Sequence, residues 1–278
     1  MKIKIYIVTY NNAEDINNNL RMLLDSDLSG HEVEINVINN HSNLHIKEEY
    51  LERINILHNT LRPDFSTGHL SRNWNQAIIN GFKDLNEPDC DILIHTQDDV
   101  VWSKDWLKHT IEVHKEYTFF SGQVGDAFCS YTAEGVKNIG LWDERFCNIM
   151  YQEFDYFLRA LLYNREKSSI NSYVYMPVTG ERKIDLLLNP IEDIEKKFPR
   201  RPDRNLEREA AHTKSGRWIK QSKLLFREKW GIQHPRPVFQ DNAKIGKPSV
   251  KNFIYYPYFE KDIYELDKKN YVADLSKK

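Results

Sequence analysis

Asp91-Ile-Leu-Ile-His-Thr-Gln-Asp-Asp-Val-Val101 is the stretch that decides the fold class of this 278-residue chain. Its apolar run 92–94 is short and rich in β-branched residues, which predicts a buried parallel strand. Asp98 and Asp99 follow this strand, and the carboxyl ends of strands are where ligands bind in open α/β sheets. Adjacent carboxylates there favour a cation, and oxygen ligands suit Mg²⁺ or Mn²⁺, which commonly accompany a diphosphate. The alternative is a solvated turn, or the N-cap of a following helix.

The composition indicates a globular chain, with one large domain or two closely packed halves. Hydrophobic residues make up 40% of the sequence, and a mean hydropathy of −0.66 indicates a polar surface. No stretch approaches the roughly 20 apolar residues that span a bilayer. Residues 1–8 alternate between charged and apolar side chains, which predicts a first strand and not a signal peptide. Cys90, Cys129 and Cys147 do not form a disulfide pattern, so we expect reduced thiols and a cytoplasmic protein.

Charge is unevenly distributed along the chain. The net value is −2, yet the segment 196–229 holds twelve Lys or Arg against four Asp or Glu. So dense a basic segment typically faces an anion, such as a diphosphate, a nucleic acid or an anionic membrane. The alternative is a solvated helix face.

Hydrophobic periodicity predicts a nucleotide-binding half built in the order β-α-β-β-α-β. The predicted strands cover 2–9, 33–38, 54–58 and 92–95, and the predicted helices cover 14–24 and 71–85. The second half is less regular, with predicted helices at 106–116, 153–163 and 216–229 and a strand at 128–131. The polar, Pro- and Arg-rich stretch 177–216 is typical of a mobile loop, and a last charged helix is predicted at 259–270.

Six motifs follow one another along the chain in an informative order. They are Ile7-Val-Thr-Tyr-Asn11, Asn39-Asn40-His41-Ser42, Gly68-His-Leu-Ser-Arg-Asn-Trp-Asn-Gln-Ala77, Gln97-Asp98-Asp99, Gly140-Leu-Trp-Asp-Glu-Arg-Phe146 with Gln152-Glu-Phe-Asp-Tyr-Phe-Leu-Arg159, and Lys229-Trp230-Gly231. In this order they resemble the motifs of the family-2, inverting glycosyltransferases of the GT-A fold. The resemblance covers residues 3–231.

The resemblance implies an α/β fold of the GT-A class. In this fold a Rossmann-like nucleotide-binding half is continuous with a mixed-sheet acceptor-binding half. The catalytic domain would then cover 1–231, with halves 1–101 and 102–231. The segment 232–278 would be a C-terminal extension that packs on the domain.

The resemblance also implies roles for individual residues. The donor-binding positions are Thr9, Tyr10, Asn11, Asn39, Arg72, Asn75 and Asp98. A divalent cation, Mn²⁺ or Mg²⁺, would be bound by Asp99 and His212. The acceptor would lie against Trp142, Asp143 and Glu144, and the catalytic carboxylates would be Glu153 and Asp155.

Three positions depart from the family's pattern. Asn39 stands where the family has a base-contacting Asp. Because an amide can donate as well as accept, UDP is the first expectation while GDP and dTDP stay open. Gln97 replaces the first Asp of the Asp-x-Asp motif, which leaves Asp99 as the direct metal ligand and Asp98 as a ribose contact or helper. The usual Glu-Asp pair of the acceptor helix is Gln152-Glu153 here.

Glu153 is the expected general base for the acceptor hydroxyl. It aligns with the family's catalytic Asp, and it opens a helix whose backbone amides can hold a carboxylate. The alternative is an ordinary first-turn Glu. Asp155 lies about 200° further around the helix, on a different face. A cap, or an ion pair with Arg159 four residues on, is its alternative role.

Aromatic and basic side chains complete the expected site. Trp142, together with Trp74 and Trp102, offers a flat face for a sugar ring, and the alternative for each is the hydrophobic core. His212 would contact the metal or the diphosphate, helped by Arg72, and the alternative is an exposed loop histidine.

The resemblance therefore implies a metal-dependent enzyme that moves a sugar from a nucleotide-diphosphate donor to an acceptor hydroxyl with inversion, and the candidate residues fit that chemistry. The acceptor would be a glycan or another hydroxyl compound, and no stable nucleic-acid partner is expected. Peripheral membrane association and a homodimer are both compatible with the sequence. One alternative is a metal-dependent nucleotidyltransferase, although the sequence has no P-loop motif. Another is a catalytically reduced nucleotide- or carbohydrate-binding protein, which the departures at Asn39 and Gln97 keep open.

Overall fold

A computed structural model describes residues 1–41, 43, 45–59, 70–115, 117–121, 126–146, 151–166 and 216–230. The stretch 177–215 of the predicted mobile loop lies outside the described residues. The same holds for the extension 232–278, the predicted helix 259–270, and the residues His212 and Cys147.

The described part of the chain is built around one six-stranded mixed sheet. Its strands are β1 (Lys2–Thr9), β2 (Glu32–Asn39), β3 (Asn55–His58), β4 (Ile92–Gln97), β5 (Phe119–Ser121) and β6 (Phe128–Tyr131). They lie in the order β3-β2-β1-β4-β6-β5. β1 is parallel to β2 and β4, and β2 is parallel to β3, whereas β6 is antiparallel to both β4 and β5. A parallel part, β3-β2-β1-β4, and an antiparallel part, β4-β6-β5, therefore form one continuous mixed sheet.

The described helices are α1 (Ala13–Leu24), α2 (Glu48–Leu51), α3 (Leu70–Phe82), α4 (Trp106–His114), α5 (Ala133–Ile139), α6 (Tyr151–Glu166) and α7 (Gly216–Trp230). Local signals begin and end them. The Thr132 hydroxyl accepts a 3.3 Å hydrogen bond from Gly135 N at the start of α5, and Gly140 follows the helix with φ of 88°. Within the described ranges, no helix is both long and apolar enough to cross a membrane.

Two hydrophobic clusters cover the two faces of the sheet. Alternate residues of a strand point to opposite faces. Ile3, Ile5 and Ile7 of β1 accordingly pack with buried residues of α1 and α4. Tyr6 and Val8 belong to the other cluster, which takes in α3, α5, α6 and α7. The result is a three-layer α/β/α arrangement whose central strands are buried on both faces, as parallel sheets require.

Gly81 allows α3 to approach β4 closely. A Cβ atom at this position would lie 1.9 Å from Leu93 Cδ1 and 3.3 Å from Tyr6 Cε2. The helix therefore needs a residue without a side chain at the point where it crosses the sheet.

The predicted elements are confirmed in type within the described residues. β1 and β6 have the predicted bounds, whereas α3 ends at Phe82 because Lys83 adopts a φ of 60°, which a helix cannot continue. The short elements α2, β5 and α5 were not predicted. Cys90 and Cys129 are free and buried, as expected for reduced thiols.

Candidate active site

The candidate site lies at the carboxyl ends of β1 and β4, where the chain connections switch from one side of the sheet to the other. Thr9, the last residue of β1, is 3% exposed, and its hydroxyl donates a 2.7 Å hydrogen bond to Asp98 Oδ2. The Asp98 backbone N–H donates to Val8 O over 3.1 Å. Asp98 and Asp99 are half-buried. The ends of two paired strands thus orient the predicted metal-binding turn.

The same turn is held from α1. Asn19 is fully buried, and its Nδ2 donates to Val100 O over 3.0 Å and to Gln97 O over 3.3 Å. Its Oδ1 accepts a 2.9 Å hydrogen bond from Trp102 Nε1. Because the two bonded carbonyls flank the aspartates, Asn19 sets the path of the backbone through the turn.

The residues that follow β1 are accessible. Tyr10 is 39% exposed, and its ring meets the His41 ring edge-on, with centroids 5.1 Å apart and planes at 85°. Asn11 is exposed and has φ of 47°. These two predicted donor residues therefore lie at the surface, where an aromatic face can contact a nucleobase.

Asn39, in contrast, is 1% exposed, and its amide is engaged in its own loop. Its Nδ2 donates to His41 O over 2.7 Å and lies 3.3 Å from His58 Nδ1, while its Oδ1 accepts from His41 N over 3.2 Å. This arrangement conflicts with the predicted base contact, because the amide stabilises the turn after β2.

Asp126 connects several parts of the site. Its side chain is 3% exposed, and Oδ2 accepts 2.7 Å hydrogen bonds from Trp74 Nε1 and from Gln152 Nε2. Its Oδ1 accepts from Gln97 Nε2 over 3.1 Å. Burial raises the pKa of the Asp126 carboxyl, and the hydrogen bonds from Trp74 and Gln152 oppose this shift.

Glu153 lies in the first turn of α6, as predicted, and is half-buried. The backbone N–H of Asp126 donates to Glu153 Oε2 over 3.3 Å. Through Asp126 the proposed base is therefore connected to Gln97, which ends β4 directly before the two aspartates. The structure brings the predicted metal turn and the predicted base onto one hydrogen-bonded frame.

Asp155, the second predicted catalytic carboxylate, is 0% exposed. Its Oδ2 accepts from Arg159 Nε over 3.2 Å, and its Oδ1 accepts from Trp230 Nε1 over 2.9 Å and lies 2.7 Å from Lys229 Nζ. The alternative ion pair with Arg159 is confirmed. Such burial conflicts with a catalytic role, because a general base must reach the acceptor proton.

Asp143, a predicted acceptor contact, belongs to the same buried ion network. It is 4% exposed, and its carboxylate lies 2.9 Å from Lys229 Nζ and accepts a 2.8 Å hydrogen bond from Arg145 Nε. Burial acts to raise the pKa of Asp143, but the nearby charges of Lys229 and Arg145 outweigh it and hold that pKa well below its ordinary value. The carboxylate thus stabilises the packing of α7. Its burial in this network conflicts with the predicted contact to the acceptor.

Predicted donor and acceptor residues meet beside the N-terminal half of α3. Asn75 Nδ2 donates to Trp142 O and to Glu144 Oε1, both over 2.9 Å, and Asn75 Oδ1 accepts from Trp142 N over 2.8 Å. Arg72 Nε lies 3.3 Å from Glu144 Oε2, and these two side chains are 39% and 41% exposed. Asn75 therefore holds the turn, while Arg72 and Glu144 face the solvent.

The core alternative is confirmed for all three tryptophans. Trp74 is 0%, Trp142 1% and Trp102 8% exposed. Trp142 stacks on Tyr156 with centroids 4.3 Å apart, and Trp74 stacks on His95 with centroids 3.8 Å apart. The predicted acceptor contact of Trp142 is corrected, because both faces of a buried ring are not available to a sugar.

The Asp98-Asp99 turn fits a divalent cation of the Mg²⁺ or Mn²⁺ type. Such ions are bound through one or two carboxylates, with phosphates and water as the other ligands. Two half-buried carboxylates at a strand end, one of them oriented by Thr9, supply such a donor set. The described ranges contain no group of three His, Cys, Asp or Glu side chains that could hold a metal by themselves.

Sequence reasoning missed Asp126 and Asn19. Asp126 is a lone acidic residue after Gly125, and no spacing distinguishes it from a loop Asp. Asn19 stands on the face of α1 that also carries Leu20 and Leu23, and a polar residue among apolar helix positions was the signal that could have revealed it.

No protein-family model matches the sequence, and no curated protein matches it. Among solved structures, the mannosyltransferase PcManGT from Pyrobaculum calidifontis, in complex with GDP-Man and Mn²⁺, is similar with a TM-score of 0.51 and 13% identity. That similarity covers 85% of this chain and 67% of that chain.

Structures of S. aureus TarS are also similar to this chain, over a smaller share of its length. TarS has a TM-score of 0.43 and 13% identity, covering 57% of this chain and 34% of TarS. TarS 1–349 in complex with UDP-GlcNAc has a TM-score of 0.43 and 15% identity, covering 68% of this chain and 62% of that chain. This chain therefore spans about a third of the full TarS chain. The topology of the sheet and the likeness to the mannosyltransferase together show that this chain has an α/β fold of the GT-A type.

Proposed function

We propose that the chain is a glycosyltransferase that moves a sugar from a nucleotide-diphosphate donor to an acceptor hydroxyl, with inversion and with a divalent cation. One observation carries the proposal. The Asp98-Asp99 turn at the switch point of the sheet is connected through Gln97 and Asp126 to Glu153 at the start of α6. A displacement at an anomeric carbon needs a general base and a stabilised leaving group, and this frame holds candidates for both.

The donor is proposed to lie across the ends of β1 and β4. Tyr10 and Asn11, both exposed, would contact the nucleoside, and Arg72 would contact the diphosphate. PcManGT, whose similarity covers 85% of this chain, is in complex with GDP-Man and Mn²⁺, and this supports a nucleotide sugar and a divalent cation as ligands. UDP stays the first expectation for the nucleotide, followed by GDP and dTDP.

In the proposed step, Glu153 accepts the proton of the acceptor hydroxyl. The hydroxyl oxygen bonds to the anomeric carbon while the bond from that carbon to the diphosphate oxygen breaks, and the electrons of this bond leave with the diphosphate. Attack from the opposite face inverts the configuration. The Glu153 carboxylate is half-buried and accepts a hydrogen bond from Asp126 N, and this restraint on its position supports the proposed role.

A divalent cation would be bound by Asp99, with His212 as the second predicted ligand, and would neutralise the charge that develops on the departing diphosphate. The acceptor, a glycan or another hydroxyl compound, is proposed to approach past Glu144, the acceptor candidate with an exposed side chain. A peripheral membrane contact and a homodimer stay predictions.

Isothermal titration with UDP, GDP, dTDP and CDP tests the proposal, with each nucleotide offered in Mn²⁺ and again in EDTA. We expect at least one nucleotide to bind, with binding weakened by the chelator. The matching sugar nucleotide is then assayed for transfer or hydrolysis, and the anomeric configuration of the product reports inversion. Binding without turnover would favour the binding-protein alternative, and no binding of any nucleotide would refute the proposal.

A further inference from the structure

We propose that Asp126 is a positioning residue, which fixes the side chain of Glu153 relative to the metal-binding turn and acts on sugar transfer through Glu153. The inference deepens the proposed function and rests on it. Asp126 itself is not expected to touch the substrate, because its side chain is 3% exposed.

Asp126 contacts two consecutive residues at the start of α6. Its backbone N–H donates to Glu153 Oε2 over 3.3 Å, and its Oδ2 accepts from Gln152 Nε2 over 2.7 Å. A main-chain contact and a side-chain contact from one residue therefore define both the position and the direction of the first turn of the helix.

The other contacts of Asp126 reach the sheet and α3. Its Oδ1 accepts from Gln97 Nε2 over 3.1 Å, and the Gln97 backbone N–H donates to Ala127 O over 3.0 Å. Trp74 Nε1 donates to Oδ2 over 2.7 Å and fixes the carboxyl from the side of the core. Asp126 thus sets the distance between Glu153 and Gln97, the last residue of β4. Gln97 stands two residues before Asp99.

The titratable groups around Asp126 come from β4, β6 and α6. They are His95, Cys129, Tyr131 and Glu153. Burial lowers the pKa of His95 and raises the pKa values of Cys129 and Tyr131, so these three stay neutral near pH 7. Of these four groups, Glu153 is therefore the one that we expect to respond to the charge of that carboxyl.

Two carboxyl groups held this close ionise as a coupled pair. Burial raises the pKa of the Asp126 carboxyl, and its hydrogen bonds with Trp74, Gln152 and Glu153 act to lower it. A purely structural Asp126 would instead serve only to satisfy the N–H groups of Gln97, Trp74 and Gln152. The two roles differ in whether the ionisation of Glu153 depends on Asp126.

Carbon-13 NMR of the Glu side-chain carboxyls measures that dependence, with the Glu153 signal assigned by its loss in Glu153→Gln. In Asp126→Asn the Gln97 amide can turn its oxygen toward the new N–H group, so we expect the fold to be kept. Glu153 should titrate about 1 pH unit lower in Asp126→Asn than in the wild type. The exposed Asp105→Asn is the matched control and should leave the titration unchanged. An unchanged Glu153 titration in Asp126→Asn overturns the inference.

The wild-type protein alone supplies a second measurement, which does not require the variant to fold. The Glu153 carboxyl signal should show two inflections with pH, one from its own proton and one from the proton of Asp126. A single inflection at the ordinary value for Glu would overturn the inference.

A double-mutant cycle measures the effect on sugar transfer. Asp126→Asn should bind nucleotide and Mn²⁺ like the wild type and lose about 10²-fold in kcat. In the Glu153→Gln background the same change should cost nothing more, whereas equal losses in both backgrounds would indicate a purely structural residue. If the wild type binds no nucleotide, the proposed function fails, and the carboxyl titrations still decide whether Asp126 controls Glu153.

Discussion

The Thr9 hydroxyl donates a 2.7 Å hydrogen bond to Asp98 Oδ2, which joins the last residue of β1 to the turn that follows β4. Thr9 is 3% exposed and Asp98 is half-buried, so this bond is partly buried. One oxygen of Asp98 is thereby used to orient the turn. The next residue, Asp99, is the proposed direct metal ligand.

Asp99→Ala is expected to abolish metal-dependent nucleotide binding, while Asp98→Ala weakens it less. The reason is the difference in roles, since Asp98 supports the turn through Thr9 and Asp99 is the proposed ligand. Titration of Mn²⁺ and nucleotide into each variant measures the effect, with the exposed Asp25→Asn as a control. Equal metal affinity in Asp99→Ala and wild type would contradict the assignment.

Glu153→Gln is expected to fold and bind donor normally but to lose about 10²–10⁴-fold in transfer rate, the range for loss of a general base. The amide oxygen can still accept from Asp126 N, so only proton acceptance is removed. Initial rates at saturating donor measure the change.

Asp155→Asn provides the contrast to Glu153→Gln. It removes a charge from a carboxylate that contacts Lys229, Arg159 and Trp230, so it should lower the free energy of unfolding. Near-normal turnover in Glu153→Gln would show that another residue acts as the base.

Asn19 lies beneath the Asp98-Asp99 turn and holds its backbone. Asn19→Ala is therefore expected to weaken nucleotide binding. The change leaves Trp102 Nε1 and the carbonyl of Val100 without their hydrogen-bond partner, at a cost of about 1–3 kcal/mol in unfolding free energy. Asn18→Ala, at an exposed position of the same helix, is the matched control. Urea unfolding and nucleotide titration check both effects, and full nucleotide affinity in Asn19→Ala would show that α1 does not hold the turn.

The sheet was predictable from the sequence because its strands carry strong local signals. β1 contains the apolar run 5–8 and β4 begins with the apolar run 92–94, and such runs are typical of parallel strands buried on both faces. β5 was missed because a three-residue edge strand has no measurable period. For α5 the capping residues Thr132 and Gly140 were visible, but Gly135 near its start argued against a helix.

The positions of Thr9 and Asp98 at strand ends and of Glu153 in the first turn of a helix were predictable from local sequence signals. The candidate site was not predictable where the direction of a side chain decides the role. Asn39 and Asp143 have the residue types of a binding site, yet the structure turns the first into its own loop and the second toward Lys229. Sequence spacing does not contain these long-range contacts, because they depend on how α7 and the loops pack.

Lys229→Met is expected to destabilise the protein by about 3–5 kcal/mol, the range for breaking a buried ion pair. Lys229 is 0% exposed, and its ammonium lies 2.9 Å from Asp143 Oδ2 and 2.7 Å from Asp155 Oδ1. Methionine keeps the apolar volume but leaves both carboxylates with one cation fewer. Lys223→Met, at an exposed position of α7, is the matched control and should change the unfolding free energy by less than about 0.5 kcal/mol.

Asp143→Asn should show how this network depends on pH. Lys229 and Arg145 outweigh burial and lower the pKa of Asp143 in the folded state. The contribution of Asp143 to the free energy of unfolding is therefore present above the unfolded pKa of about 4, and it is lost as the pH falls toward the lower folded pKa. At pH 7 the variant should therefore be less stable than the wild type. This gap in unfolding free energy should narrow below about pH 4, as Asp143 of the wild type takes up a proton. Urea unfolding of both proteins across this range measures the gap. A gap that stays constant with pH would show that the Asp143 carboxylate is not stabilised by Lys229 and Arg145.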